Sequence, residues 1–156
     1  LRNPVDQIYS QYQKFVTQGL EIENLENLMK DDENRLKIFT KRCENNIIKP
    51  YTSWFYIPYF SFAKYVKYIR NALHFFPKEQ FLFLKTEDLK NNPQSVVTKC
   101  FEFLELDDYS IKKEFYSNKR KYATTLSTEL RKQLSDYFKP FNEELEELLE
   151  MKFHWN

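Results

Sequence analysis

Two short groups of residues carry chemistry that could hold an anion. Arg2 and Ser10 form the first, at either end of a segment with helical spacing. A guanidinium fork and a hydroxyl would hold a phosphate through charge-assisted bonds. Arg2 precedes the helix start, where backbone N–H groups and the positive dipole end favour an anion. Ser10 falls off the stripe of Val5, Ile8, Tyr12 and Phe15 at 100° per residue, so it is free of the core that the helix buries. Spacing alone leaves open a surface Arg and a solvent-facing Ser. The second group is Asn118-Lys119-Arg120-Lys121-Tyr122, three successive cations that could clamp a phosphate or be a solvated charge run. His74 has no Ser or Cys partner and is not a candidate base. Glu143, Glu144, Glu146, Glu147 and Glu150 read as a solvated helix face, and Cys43 and Cys100 as inert, Cys100 within the core.

The composition narrows what these groups could serve. Among 156 residues, 24 Lys and Arg balance 23 Asp and Glu to a net charge of +1, which disfavours a nucleic-acid grip. A hydrophobic content of 42%, with 18% aromatics, is enough to bury a core. A single glycine, Gly19, excludes a Gly-rich phosphate loop within these residues. Two cysteines 57 positions apart, with only His74 and His154 as other soft ligands, support neither a zinc site nor a disulfide framework. The chain opens on Leu1-Arg2-Asn3-Pro4 with no signal peptide and holds no span-length apolar run, so it reads as soluble.

The positioning elements follow from periodicity. A helix of about four turns runs from Pro4 to near Gly19. Leu1 directly before it suggests that the chain arrives from a strand. Glu21 to Lys49 is polar and predicts two short helices. Tyr51 to Phe62, interrupted by Pro58, predicts a packed aromatic connection, and its Tyr51, Trp54, Phe55, Tyr56 and Tyr59 could alternatively stack on substrate rings. Phe62, Tyr65, Val66, Ile69, Leu73 and Phe76 make an amphipathic helix stopped by Pro77. Gln80 to Lys85 reads as a short buried strand of the parallel type, and Asn92-Pro93 opens a helix through Leu104. Lys112 to Tyr122 is a basic loop. Ser127 caps a final helix, which Pro140 should kink or split. Strand, connection and helix in that order indicate an α/β unit.

Leu1 to Tyr12 resembles the cofactor motif of sulfotransferases that use 3'-phosphoadenosine-5'-phosphosulfate, in which an Arg at a strand end and a Ser eight residues later hold the adenosine 3'-phosphate. Tyr65 to Leu84 is similar to that family's helix ending in Phe-Pro before a core strand. Glu87-Asp88-Leu89, Asn92-Pro93 and Phe101 to Leu106 resemble its Glu-Asp-Leu, Asp-Pro and Phe-Leu-Gly-Leu segment, with Glu105 in place of the glycine. Leu130 to Trp155 resembles the C-terminal helix of heparan-type and bacterial carbohydrate sulfotransferases.

The resemblance implies a P-loop-type α/β sulfotransferase fold, with residues 1–156 as the C-terminal part of one domain. The phosphosulfate loop and catalytic base would lie upstream, and these residues alone would be inactive. It implies cofactor contacts from Arg2 and Ser10, and from Lys119, Arg120, Lys121 and Tyr122 where relatives carry a Lys-Gly-Arg loop. The acceptor it implies is a hydroxyl or amine, with a carbohydrate favoured. The lack of a cysteine pair near the basic loop favours the bacterial, cytoplasmic kind over the Golgi-lumen kind. The competing class is a non-enzymatic helical interaction module docking a protein through residues 51–62.

Overall fold

The computed structural model describes residues 1–45, 56–112 and 125–155. Seven α-helices are present in it: α1 (Pro4–Thr17), α2 (Leu25–Glu44), α3 (Tyr59–Phe62), α4 (Tyr65–Phe75), α5 (Thr86–Asn91), α6 (Pro93–Phe103) and α7 (Thr128–Leu149).

The helix α1 starts where Asn3 caps it, with Asn3 Oδ1 accepting from Val5 N at 2.9 Å and Pro4 in the first position. It ends at Gly19 (φ +67°), where Gly19 N bonds to Val16 O and Leu20 N to Phe15 O, the paired bonds of a Schellman end. Its buried face is Pro4, Val5, Ile8, Tyr9, Gln13 and Phe15. That face packs against α3 and α7 around Phe60, Leu134 and Phe138. The rings of Phe60 and Phe138 stack 6.2 Å apart. A second core joins Val66 of α4, Leu145 and Leu149 of α7, and Phe153 and Trp155 of the C-terminal tail.

One continuous α2 replaces the two short helices expected between residues 21 and 49. The reason lies in its buried face, which carries Asp32 and Arg35 beside Leu25 and Leu28. Those charges break the apolar period although the helix does not break.

Residues 81–85 form no strand among the described residues, and Leu82 is exposed, unlike the buried strand anticipated there. They run extended, and Leu1 meets them with two backbone bonds: Leu1 N donates to Leu84 O, and Thr86 N donates to Leu1 O at 2.7 Å. That pair of bonds has the slanted register of neighbouring parallel strands.

The anticipated caps are present. Asn92 accepts from Ser95 N and Ser127 from Leu130 N, both at 3.1 Å. The helix α7 passes Pro140 without being divided. Cys100 is half-buried rather than in the core. Glu143, Glu147 and Glu150 are exposed, but several acids of this face are paired, Glu144 with Arg70, Glu150 with Lys78 and Glu146 with Lys152. Among the described residues no helix is long and apolar enough to cross a membrane.

The helix α6 closes in a second Schellman end, with Leu106 N on Phe101 O and Glu105 N on Glu102 O. Glu105 there adopts φ +54°, a left-handed conformation that costs a side-chain-bearing residue about 1–2 kcal/mol. Glu105→Gly is therefore expected to raise the unfolding free energy by about 1 kcal/mol in urea titration, since glycine's greater unfolded-state entropy offsets part of the relieved strain. An unchanged or lowered midpoint would contradict the reading of this position as strained.

Candidate functional site

Arg2 and Ser10 flank the N-terminal half of α1, and both are half-buried. Ser10 lies six residues beyond Pro4, about 9 Å along the axis at 1.5 Å per residue. It shares a flank with Asp6 and Gln7, one turn nearer the start. Helical side chains lean toward the N-terminus, so Ser10 leans toward the Arg2 turn. Arg2 Nε is buried with no hydrogen-bond partner among the described residues. A buried guanidinium N–H without an acceptor is costly, and an anionic ligand could supply one.

The helix start itself offers less to an anion than its position suggested. Asn3 N is taken by Glu87 Oε1 at 3.2 Å, Pro4 has no N–H, and Val5 N is taken by Asn3 Oδ1. Asp6 in the first turn adds negative charge, which Arg131 of α7 balances at 2.7 Å. Of the first backbone donors only Asp6 N has no acceptor among the described residues, so a ligand would rely chiefly on side chains, with the Arg2 guanidinium foremost.

The turn that carries Arg2 is held from three directions. Leu1 O accepts from Thr86 N and from Thr86 Oγ1 at the start of α5. Arg2 O accepts from the Tyr65 hydroxyl at 3.0 Å, and that hydroxyl also touches Gln7 Oε1. Asn3 Nδ2 donates to Trp155 O at 3.1 Å. Trp155 is buried, stacked on Phe153 with ring centroids 4.3 Å apart and tilted toward Tyr65 at 6.1 Å. The tail is anchored by Glu146, which accepts from Phe153 N and Lys152 Nζ, both at 2.8 Å. The Lys152 bond, then the Phe153 N–H bond, hold the Glu146 carboxyl below the usual range. The stability this anchor contributes is present above the ordinary carboxylate pKa and is lost as pH falls through the lowered one.

Sequence reasoning singled out Arg2 and Ser10 but not Asn3, Tyr65, Thr86, Glu87 and Trp155 as their supports. The contacts join positions some 60 to 150 residues apart, which no local period encodes. Lys119, Arg120, Lys121 and Tyr122, with Tyr51, Trp54 and Phe55, lie outside the described residues. Tyr59 is a core residue and not a stacking platform: it is 1% exposed, and its hydroxyl donates to Glu21 Oε2 at 3.3 Å. Burial, then the Glu21 charge, push its phenol far above the ordinary range. His74 is exposed and lies edge-on to Phe75.

Beyond the far end of α1, a cleft of about 490 Å³ opens between Leu20, Glu21, Ile22, Glu23, Arg35, Arg42 and Tyr56. The Arg35 and Glu21 ion pair, 2.8 Å long and buried, forms part of its wall. Arg2 and Ser10 are not among its lining residues.

With this geometry in hand, comparison with known proteins is specific. The profile of the sulfotransferase domain family matches residues 1–149. Carbohydrate sulfotransferase 15 of Rattus norvegicus is 30% identical over 99% of this chain and 30% of its own length. Heparan sulfate glucosamine 3-O-sulfotransferase 3B1 of Mus musculus is 25% identical over 100% of this chain and 42% of its own. The crystal structure of a sulfotransferase from Alicyclobacillus acidocaldarius superposes with a TM-score of 0.70 and 23% identity, covering 99% of this chain and 55% of that one. The chain thus spans about a third to a half of the lengths of these relatives.

Proposed function

The chain belongs to the sulfotransferase domain family, and from that premise we propose that it supplies the adenosine 3'-phosphate side of the donor site in an enzyme that moves a sulfuryl group from 3'-phosphoadenosine-5'-phosphosulfate to a carbohydrate hydroxyl or amine. The observation that carries the reading is the buried Arg2 Nε before the head of α1, which has no hydrogen-bond partner among the described residues; Ser10 stands two turns further along the helix, half-buried. Both residues fit the anion: a guanidinium for the charge, a hydroxyl for one further oxygen.

In this reading the donor, when bound, supplies the sulfuryl group, and the residues of this chain bind and orient. Arg2 neutralises the 3'-phosphate, and Ser10 donates its hydroxyl proton to the same group. The α1 helix fixes the spacing between them, because its buried face is clamped by Phe60 and Phe138. Holding the nucleotide at its remote end lets binding energy serve positioning at the reacting end. Lys119, Arg120, Lys121 and Tyr122 would add their charge and hydroxyl to the same phosphate. The carbohydrate acceptor is suggested by the relatives named for carbohydrate and heparan sulfate substrates. Residues 1–156 act in this scheme as the C-terminal portion of a single domain.

The test is sulfuryl transfer from the labelled donor to glycan acceptors by the full-length protein. Arg2→Ala is expected to lower kcat/KM by about 10- to 150-fold, matching about 1.5–3 kcal/mol for a lost charge-assisted bond. Absence of transfer to any glycan would overturn the acceptor class. Full activity in the variant would overturn the assigned site.

A further inference from the structure

The backbone around Arg2 is held far more completely than its side chain. Three consecutive residues are tied by their backbone or cap groups to elements remote in sequence. Thr86 takes Leu1 O, the Tyr65 hydroxyl takes Arg2 O at 3.0 Å, Glu87 Oε1 takes Asn3 N, and Trp155 O takes Asn3 Nδ2. The Arg2 guanidinium, in contrast, keeps a buried Nε without an acceptor among the described residues. A rigid frame around a side chain with unspent donors is the arrangement of a preorganised ligand arm, in which the ordering cost has been met before the ligand arrives.

We propose that Tyr65 is the positioning residue of this arm: by holding the Arg2 carbonyl it fixes the turn from which the guanidinium reaches the anion, and the tail residue Trp155 braces Tyr65 and Asn3 from behind. The proposal rests on Arg2 being an anion ligand, as argued above. Tyr65 suits the part because it opens α4, a helix packed on α7. Its ring lies 6.1 Å from that of Trp155, which is itself 7% exposed. Burial pushes the Tyr65 phenol up to about 12, so it remains a protonated donor throughout the neutral range. Phenylalanine in its place keeps the packing and removes the hydroxyl, with its bond to Arg2 O and its contact with Gln7 Oε1.

Adenosine 3',5'-bisphosphate is titrated calorimetrically into the full-length protein as parent, Tyr65→Phe, Arg2→Ala and the double variant. Loss of one neutral bond, about 1 kcal/mol, predicts a Kd about fivefold weaker for Tyr65→Phe. Since Tyr65 acts through Arg2, the same change in the Arg2→Ala background should leave the Kd unaltered. A purely structural tyrosine would weaken binding equally in both backgrounds, or in neither, and either outcome overturns the positioning role while leaving the Arg2 assignment standing. If Arg2→Ala binds as the parent does, the assignment falls, and the positioning role with it.

Discussion

Asp32→Ala should lower the unfolding free energy by about 2–5 kcal/mol, the summed cost of buried donors left without an acceptor. Asp32 sits on α2, 3% exposed, and serves the start of α3 across the interface. Its Oδ1 accepts from Phe60 N at 2.8 Å, and its Oδ2 accepts from Ser61 N at 2.7 Å and Ser61 Oγ at 2.6 Å. The short helix has no cap from its own preceding residue, Pro58. A carboxylate from another helix therefore does the capping, and it also matches the positive end of the α3 dipole. Truncation strands two backbone N–H groups in the core and loosens Phe60, the ring stacked on Phe138.

Asp32→Asn separates charge from shape. The amide keeps one acceptor oxygen but turns an NH2 on the remaining donors, so it should recover only part of the loss. Urea unfolding followed by circular dichroism measures both variants. A loss below about 0.5 kcal/mol for Asp32→Ala, the range of ordinary surface substitutions, would show that the donors find other partners and that Asp32 is not the cap.

Legibility in the sequence depended on the range of the interactions concerned. The α1 helix was readable because Asn3, Pro4 and Gly19 punctuate an apolar stripe, and all of these signals act within a few residues. The same holds for Asn92-Pro93 and Ser127. The α2 helix was misread because Asp32 and Arg35 stand where leucines would have kept the period, and their partners are the α3 N–H groups and Glu21. A buried charge looks like a surface charge until its distant partner is known. The Tyr59–Phe62 turn of helix was hidden for the same reason, since its cap comes from 28 residues away.

Glu105 illustrates a different limit. The family resemblance placed a glycine there, and the positive φ gives the physical reason why glycine suits that position. The candidate site divided in the same way: Arg2 and Ser10 followed from a local motif, whereas Tyr65 meets Arg2, and Glu87 and Trp155 meet Asn3, only through the folded chain.

Arg2 and Ser10 are proposed to grip a phosphate on the ribose 3' position. Such a grip makes a sharper demand than affinity alone, because a ligand lacking that phosphate should not sense either side chain. Arg2 contributes a charge-assisted bond of about 1.5–3 kcal/mol and Ser10 a neutral one of about 1 kcal/mol. The deciding measurement is the ratio of Kd values for adenosine 5'-phosphate and adenosine 3',5'-bisphosphate, in the parent full-length protein and in Arg2→Ala. The account predicts that the parent favours the bisphosphate by at least about tenfold and that Arg2→Ala loses most of this preference while binding the monophosphate as before. An equal preference in parent and variant would contradict it.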